Sequence, residues 1–328
     1  MIDLHTDWLM QYAPETTVFD PALYPRVPQR LPQAEGYLHT TRAAVLSCYR
    51  NAEDWATQQT PWAALGDLIT RIEAEFPGRL LIGPEDQARW LAEPEGLAWG
   101  VIGIEGFDAL IRSPADIDRL PALFERGVRL FQPVYGAKSV LGGSSAKGDD
   151  RGLSDLGRAF LETLASVANG PRPLLDLAHL NPTTAADVLS WFEEDDARLG
   201  RLIPVYSHGA LAHEGYVTPR AMTLENLARL RALGGVMGFG VTPPFYTTPE
   251  ALKASIETAA ALPFVGRPGY EGLAIGTDFL GVDRTMPGLA TAPEVVAWFA
   301  SAFDAATGAS LLQVNAQRLL ARVVGVEP

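Results

Sequence analysis

Five short apolar segments of this chain end in residues of the types that bind metal ions. They are Ile2–Asp7, Val101–Glu105, Leu174–His179, Ile203–His208 and Leu273–Asp278. When parallel strands close into a barrel, all of their carboxyl ends open onto one face, so residues that are far apart in the chain meet there. The pattern therefore predicts a metal site at the mouth of an α/β barrel.

Eight apolar segments have the length and composition of strands, and helical periodicity separates most of them. The strand segments are residues 2–6, 43–49, 100–105, 127–134, 173–178, 202–207, 235–240 and 273–277. The helical segments are 62–76, 114–126, 153–167, 183–192, 223–233 and 250–262. This alternation favours parallel βαβ units, and eight strands are the number that a (β/α)8 TIM barrel requires. Two additional C-terminal helices, 293–306 and 310–324, are expected to close the bottom or flank of the barrel.

No linker rich in Pro, Gly or Ser interrupts this pattern, so we interpret residues 1–328 as a single barrel domain. Two long segments, Trp8–Glu35 and Tyr135–Arg151, follow strands without helical periodicity. Compact folds seldom keep such connections without a use, so we expect both to lie over the active face. The alternative is that they are ordinary surface loops.

Composition limits the functions that such a barrel can have. The 328 residues include 39 acidic and 26 basic ones, with no dense Lys/Arg cluster, so nucleic acids and anionic membranes are poor partners. No apolar stretch approaches transmembrane length and no signal peptide is apparent, which predicts a cytoplasmic protein. Cys48 is the only cysteine, which excludes an internal disulfide and a cysteine-based zinc site.

The predicted ligands should meet at the mouth of the barrel. His5 and Asp7 are two residues apart in an extended segment, so their side chains share one side of the strand. Other strands end in Glu105, His179, His208 and Asp278. Any one of these residues alone is typical of an ion pair, a helix cap or a hydrogen-bonded core histidine. Buried together, three imidazoles and three carboxylates would be very unfavourable without cations, because unpaired buried charge is strongly disfavoured.

Other polar residues near the strands are given different roles. His39 and His213 do not end strands, so we interpret both as non-ligands, with His213 a candidate for a substrate contact. Asp3 and Asp176 lie within strands. We expect them on the side away from the ligands, where they orient neighbours or face the helices.

Eight motifs occur in one order along nearly the whole chain. They are His5-Thr6-Asp7, Gly103-Ile104-Glu105-Gly106, Gly152–Gly157, Asp176–His179, Ser207-His208, Pro219-Arg220, Gly234–Gly238 and Gly276–Phe279. This ordered set resembles the membrane (renal) dipeptidase family, zinc metallopeptidases of the amidohydrolase superfamily. The similarity extends to Asn315 and Arg318 in the last predicted helix.

The resemblance implies a site for two Zn²⁺ or similar divalent ions. His5 and Asp7 would hold the first ion, His179 and His208 the second, and Glu105 would bridge both. Two metals that share a hydroxide lower its pKa towards about 7 and polarise the scissile carbonyl group.

The resemblance also implies roles for Arg220 and Asp278. Arg220 would bind the carboxylate of the substrate, because a guanidinium matches that group with two parallel hydrogen bonds. A solvent-exposed arginine without such a role is the alternative. Asp278 would lie beside the metal-bound water and act in proton transfer.

The sequence departs from the family at two positions. Where the family has a histidine that contacts the scissile group, this chain has Tyr135, and where the last strand commonly continues Asp-Phe-Asp-Gly, it has Leu280. We expect Tyr135 to support the developing oxyanion from an altered position, with packing against Gly142-Gly143 as the alternative. These changes concern the substrate rather than the metal ligands.

We therefore expect a zinc-dependent hydrolase of a small amide, namely a dipeptide with a free C-terminal carboxylate. An amidohydrolase acting on an N-acyl amino acid, a lactone or another non-peptide substrate is the first alternative, which Tyr135 favours. A barrel that binds metal without catalysis is the second, and the retention of Asp278 beside all five ligands argues against it. The expected partner is a small-molecule substrate, and the resemblance is compatible with a homodimer.

Overall fold

Eight parallel strands close into a barrel in this computed structural model, which describes residues 1–11, 31–49, 61–93, 96, 98–243, 245–282 and 284–326. The strands are β1 (Ile2–Thr6), β2 (Ala43–Cys48), β3 (Trp99–Glu105), β4 (Val128–Gln132), β5 (Leu174–Asp176), β6 (Ile203–Tyr206), β7 (Val236–Phe239) and, after the hairpin described below, β10 (Leu273–Ile275). They pair in the order β1-β10-β7-β6-β5-β4-β3-β2. Each predicted strand segment overlaps one of these strands, and only β3 begins outside its segment, at Trp99, so the prediction of a (β/α)8 TIM barrel is confirmed.

Helices surround the barrel. They are α1 (Leu31–Ala34), α2 (Tyr37–Thr40), α3 (Pro61–Glu75), α4 (Pro84–Ala92), α5 (Pro114–Ile117), α6 (Leu120–Glu125), α7 (Asp155–Ser166), α8 (Pro182–Glu193), α9 (Leu224–Ala232), α10 (Pro249–Ala261), α11 (Ala292–Ala302), α12 (Ala305–Ala309) and α13 (Asn315–Val323). A π-helical turn, Ser310–Val314, joins α12 to α13. Side chains of Ser154, Asn181 and Thr223 cap the first turns of α7, α8 and α9, as polar residues at helix starts commonly do. No helix within the described ranges is long and apolar enough to cross a membrane.

One local prediction needs correction, and another falls largely outside the described residues. The single helix expected at 114–126 is two short helices, α5 and α6, because Pro121 has no N–H to donate and its ring clashes with the carbonyl group four residues earlier. Of the long segment Trp8–Glu35, residues 12–30 lie outside the described ranges. The segment after β4 is described, and it lies beside a strand end of the barrel mouth, where Ser145 N–H donates to His179 O at 2.8 Å.

The last helix closes the bottom of the barrel, as expected. Leu319, Leu320 and Val323 of α13 belong to one buried apolar cluster with interior strand residues such as Val101 and Ile203. Burial of such side chains contributes roughly 1.5–3 kcal/mol each, so this helix seals the end opposite to the strands' carboxyl termini with apolar contacts.

An unpredicted hairpin follows α10. Its strands, β8 (Pro263–Phe264) and β9 (Arg267–Pro268), pair antiparallel. Arg231, which is fully buried, donates to the carbonyl oxygens of Leu262, Gly269 and Glu271 and thereby fixes the hairpin against α9. Burial lowers the pKa of this arginine to about 10.

Candidate active site

A break in strand alternation brings His5 into the mouth of the barrel. The register between β1 and β2 shifts between Asp3 and Thr6, so residues on either side of the shift do not follow simple alternation. Asp3 contacts α2 by accepting a hydrogen bond from Tyr37 Oη at 2.6 Å, whereas His5 lies next to Glu105. As expected, Asp3 is turned away from the ligand cluster. It also orients a neighbour, since it accepts hydrogen bonds from Thr277 N and Oγ1.

The predicted ligands converge around the carboxylate of Glu105. One of its oxygens, Oε2, is 3.3 Å from His5 Nε2, and that nitrogen is 3.6 Å from Asp7 Oδ2. The other oxygen, Oε1, is 3.2 Å from His179 Nε2 and 3.8 Å from His208 Nε2. Glu105 therefore lies between two pairs, one made of His5 and Asp7 and the other of His179 and His208.

Asp278 completes the cluster from the end of β10. It can offer a ligand atom together with His5 and Asp7, all of these atoms lying within 4.8 Å of one another. Two members of the site, His179 and Asp278, have positive φ angles of 65° and 61°. Residues other than glycine rarely adopt this conformation, and such strain concentrates at functional sites.

The electrostatic balance of the cluster fits a cation. Burial alone would raise the pKa of Glu105, but the nearby charge of His5 and the contact with His179 hold it well below its ordinary value. Burial lowers the pKa of His208 well below normal and that of His179 to about 4, so both are neutral near pH 7, the form in which an imidazole can bind a metal. Their Nε2 atoms are only 3.2 Å apart. Without a cation, one of these two nitrogens must carry a proton that it shares with the other, and a bound cation would take the place of that proton.

His5 supplies the second observation in favour of a metal. Both of its ring nitrogens are buried, and although Nε2 lies 3.3 Å from Glu105 Oε2, neither nitrogen has a described partner with the geometry of a hydrogen bond. Buried polar atoms normally have hydrogen-bond partners, and an unmatched one indicates a missing ion or water. Imidazole nitrogens and carboxylate oxygens are ligands that Zn²⁺ and similar divalent ions accept. The residues present thus fit the metal site that the sequence predicts.

Buried side chains behind the ligands orient two of them. Ser207 Oγ lies 2.5 Å from Asp176 Oδ2, to which it donates, and 2.8 Å from His208 Nδ1. Because the serine proton goes to Asp176, His208 Nδ1 must donate to Ser207, which leaves the lone pair on Nε2 directed at Glu105 and His179. Ser47 Oγ similarly donates to Glu105 Oε2 at 3.0 Å.

The position expected for Asp176 is therefore wrong, although its orienting role is not. Asp176 shares a strand face with Leu174, which packs in the barrel interior, and so it lies beneath the ligands rather than away from them. Its carboxylate accepts hydrogen bonds from Ser207 N and Ala178 N and ties the ends of β5 and β6 together.

Arg220 lies in the wall of the site beside His208. Its Nη2 donates to His208 O at 3.0 Å and its Nη1 donates to Tyr206 Oη at 2.6 Å. Tyr206 Oη in turn donates to Arg220 O, and the guanidinium lies 5.5 Å from the ring centres of Tyr206 and Phe245. Arg220 is thus held in one orientation by the protein itself, which reduces the entropy that a bound ligand would have to overcome.

Tyr135 covers the cluster beside His179. Its ring stacks on His179 with 4.2 Å between ring centres and also contacts Tyr49 at 4.7 Å. Burial, the charge of Glu105 and a hydrogen bond with Tyr49 raise the pKa of Tyr135 far above its ordinary value, so its hydroxyl is neutral at any working pH.

His213 does not reach the cluster. Its two ring nitrogens lie 2.7 Å from Glu214 O and 2.9 Å from Phe245 O, and its ring stacks on Tyr246. The histidine thereby links two loops of the mouth, and its contact with a substrate stays a prediction.

The structure thus brings together all eight residues predicted for the site, together with several supporting residues that were not predicted. Ser47, Tyr49 and Tyr206 were not singled out, although each lies at or next to the carboxyl end of a strand. Their position at the carboxyl ends of strands was the one feature of the sequence that could have indicated them. Serine and tyrosine are so common there that only the contacts show which of them act on a ligand.

Comparison with known proteins gives the site a family context. The family model described as membrane dipeptidase (peptidase family M19) matches residues 35–327. The dipeptidase verJ of Clonostachys rogersoniana is 27% identical over 230 residues, which are 68% of this chain and 54% of that protein. The chain therefore spans about half the length of this curated relative.

Three solved structures share the fold. One is a metallopeptidase called dipeptidase AC, with a TM-score of 0.72, 21% identity and coverage of 99% of this chain and 98% of the other. Another is a Rhodobacter sphaeroides metallopeptidase bound to a phosphinate mimic of the dipeptide L-Ala-D-Ala, with a TM-score of 0.72, 20% identity and 98% coverage of both chains. The third is a Pseudomonas aeruginosa amidohydrolase, with a TM-score of 0.69, 18% identity and coverage of 99% and 96%.

Proposed function

Because this chain belongs to the membrane dipeptidase family, we propose that it is a metal-dependent hydrolase that cleaves dipeptides with a free C-terminal carboxylate. The observation that carries the proposal is the position of Glu105 between two pairs of candidate ligands, within 3.3 Å of His5 and 3.2 Å of His179. A carboxylate in that position has one oxygen for each pair. The same arrangement accounts for a buried cluster that would otherwise be electrostatically unfavourable.

In this proposal the cluster holds two divalent ions, which we expect to be Zn²⁺. His5 and Asp7 would hold one ion, His179 and His208 the other, and Glu105 would contact both. Divalent ions bound there supply Lewis-acid chemistry, since they polarise a carbonyl group and lower the pKa of water.

The protein's own residues bind and orient the substrate. Arg220 is directed towards the cluster by Tyr206 and Phe245, and its planar fork suits the terminal carboxylate of a dipeptide. A carboxylate held at this wall places the neighbouring amide bond towards Glu105 and the two histidine-containing pairs. Binding of the substrate carboxylate by Arg220 would therefore fix the orientation of the amide bond that is cleaved.

Asp278 is the residue proposed to move the proton. Burial, together with the charges of Asp7 and Glu105, raises its pKa to about 8 in spite of the opposing charge of His5. That value belongs to the metal-free protein, and divalent ions beside Asp278 would lower it, so that the ionised carboxylate could accept a proton from water at the cluster and pass it to the leaving amine.

Tyr135 is proposed to donate a hydrogen bond to the oxygen of the scissile carbonyl as negative charge develops on it. Its ring already lies over His179 at the edge of the cluster. Because a tyrosine reaches further than a histidine, the accepted substrate is expected to differ somewhat in shape from that of relatives with the imidazole. The same substitution favours the second candidate function, hydrolysis of an N-acyl amino acid or another small non-peptide substrate.

Metal analysis followed by a substrate panel tests the proposal. Protein purified without chelator should contain two divalent ions per chain, and Glu105→Gln should lower that number and abolish turnover. The panel should include L-L and L-D dipeptides, N-acyl amino acids and a lactone. Turnover of N-acyl amino acids or lactones alone would replace the first function by the second, and a protein that binds metal but hydrolyses none of them would contradict both.

A further inference from the structure

The turn after β3 holds the loop after β4 through one carboxylate. Asp108 lies in the short turn Phe107–Ala109, three residues beyond Glu105. Its Oδ1 accepts a hydrogen bond from Tyr135 N at 3.1 Å, and its Oδ2 accepts one from Gly136 N at 3.0 Å. The two oxygens therefore bind two successive backbone N–H groups, and the first of these belongs to the tyrosine that covers the site.

Gly106 allows the Tyr135 side chain to lie close to the backbone of the turn after β3. A Cβ atom at that position would lie 2.9 Å from Tyr135 Cβ, and Gly106 has a φ of 82°, which glycine adopts without strain. On its other sides the Tyr135 ring contacts His179 and Tyr49. The tyrosine is thus confined at its backbone, at its Cβ and along its ring.

Stability alone does not explain a carboxylate at position 108. Burial raises the pKa of Asp108 to about 6 even though backbone hydrogen bonds from Tyr135 and Gly136 oppose that shift. An acid whose pKa is raised by folding favours the folded state less once it is ionised, so near neutral pH this charge weakens stability. What the carboxylate does supply is a pair of equivalent acceptors. An asparagine has one acceptor oxygen, and its NH₂ group would face the second N–H.

We propose that Asp108 is a positioning residue that acts through Tyr135, holding its ring against His179 and its hydroxyl at the edge of the cluster. The kinetic consequence rests on the proposed hydrolase function, in which Tyr135 supports the transition state. The effect of Asp108 on the position of the Tyr135 ring does not depend on the hydrolase function.

The positional test uses 3-fluorotyrosine incorporated at position 135 alone and observed by ¹⁹F NMR. Asp108→Asn should change the chemical shift of this single resonance or broaden it, because the ring is no longer held in one place against His179. Asp116→Asn is the control, since Asp116 also accepts hydrogen bonds from two successive backbone N–H groups, those of Arg112 and Ser113, although both bond to one oxygen, Oδ2. That control should leave the resonance unchanged. Asp108→Ser serves as a second variant if Asp108→Asn does not fold.

The kinetic test measures kcat and KM for the best substrate. Asp108→Asn should lower kcat by about 10-fold or more with little change in KM, since a small misplacement of a group that acts on the transition state strongly affects the rate. In a Tyr135→Ala background, the same Asp108→Asn substitution should change kcat by less than about 3-fold, because no side chain remains to be positioned. Bound metal should be the same in all of these proteins.

The outcomes separate this proposal from the proposed function. A resonance in Asp108→Asn that matches both the wild type and the Asp116→Asn control would overturn the positioning role. An equal loss of kcat in the wild-type and Tyr135→Ala backgrounds would also overturn it, because it would show a general structural effect. If the wild type hydrolyses no substrate in the panel, the proposed function fails, and the fluorine resonance alone decides the role of Asp108.

Discussion

At the scale of single residues, the proton transfer proposed for Asp278 can be tested with one substitution. Asp278→Asn removes the ionisable carboxyl group but keeps the size of the side chain. If Asp278 transfers a proton, the variant should retain both metal ions while kcat falls by about 10²-fold or more. Steady-state kinetics and metal analysis of the same preparation measure both quantities. Near-normal turnover in the metal-loaded variant would show that the proton moves by another route.

Arg220 should determine the preference for a free carboxylate. Arg220→Ala is expected to raise KM mainly for substrates that carry this group, and Arg220→Lys should restore little, because an ammonium cannot reproduce the planar fork. The measurement compares kcat/KM for a dipeptide and for its C-terminal amide. Equal losses for the two would mean that the arginine is structural, through its contacts with Tyr206 and His208.

Ser207 should act on metal affinity through His208. In Ser207→Ala, His208 Nδ1 loses the acceptor that fixes its tautomer, and loss of such a partner typically weakens metal binding by about 10- to 100-fold. Competition with a chelator of known affinity measures the change. Ser166→Ala is a suitable control, because Ser166 is exposed on α7 and bonds only to a carbonyl of its own helix. Equal affinities for the two variants would contradict the orienting role.

At the scale of elements, the strand ends approach each other so closely that glycine is required. A Cβ atom on Gly238 or on Gly276 would lie 1.9 Å from the carbonyl oxygen of Ser207, a backbone atom that cannot rotate away. Gly276→Ala should therefore displace the end of β6 that leads to His208. Overpacking of this kind typically costs about 1–3 kcal/mol, and metal should be lost with it.

Urea unfolding and metal analysis test this, with Gly200→Ala as the control, because the Cβ that alanine would add there has no described residue within 4 Å apart from its own chain neighbours. If Gly276→Ala matched Gly200→Ala in stability and metal content, the closeness of β6 and β10 would not be essential to the site.

At the scale of the whole molecule, metal binding should stabilise the barrel. The candidate ligands come from β1, β3 and the segments after β5, β6 and β10, so ions held there link strands that are distant in the chain. Binding to the folded state alone adds about 2.7 kcal/mol when the free ion is at 100 times its Kd. Chelation should therefore lower Tm by several degrees, and Zn²⁺ should restore it. A Tm that does not respond to chelation of protein shown to lose its metal would contradict this coupling.

The metal-dependent part of Tm should grow with pH. Burial alone would lower the pKa of His5, but the charge of Glu105 raises it well above its ordinary value. A protonated His5 therefore stabilises the metal-free fold at low pH, and this contribution is lost as the pH rises through the raised pKa. Metal binding requires the imidazole to release that proton. The increase in Tm on adding Zn²⁺ should be larger at about pH 8 than at about pH 6, and an increase independent of pH would argue against His5 as a ligand.

The sequence by itself predicted the (β/α)8 barrel, the family and the set of residues that meet at its mouth. Apolar periodicity is local, and the carboxyl ends of parallel strands must face one side, so residue types at those ends suffice to place His5, Glu105 and Asp278 together. Elements with a weak apolar pattern, such as helix α4, were not predicted. Helix α4 buries only Gln87 and Trp90, which leaves almost no apolar period to detect.

The tertiary structure alone decided how the site is supported. A one-residue shift in β1 turns His5 inward, Asp176 and Ser207 set the tautomer of His208, and Asp108 reaches across to Tyr135. Each of these contacts joins residues whose spacing in the chain carries no information about their distance in space. A strand bulge, a hydrogen-bond direction and a bidentate carboxylate arise only when neighbouring strands fix the backbone to within a few tenths of an ångström, and no single segment contains that constraint.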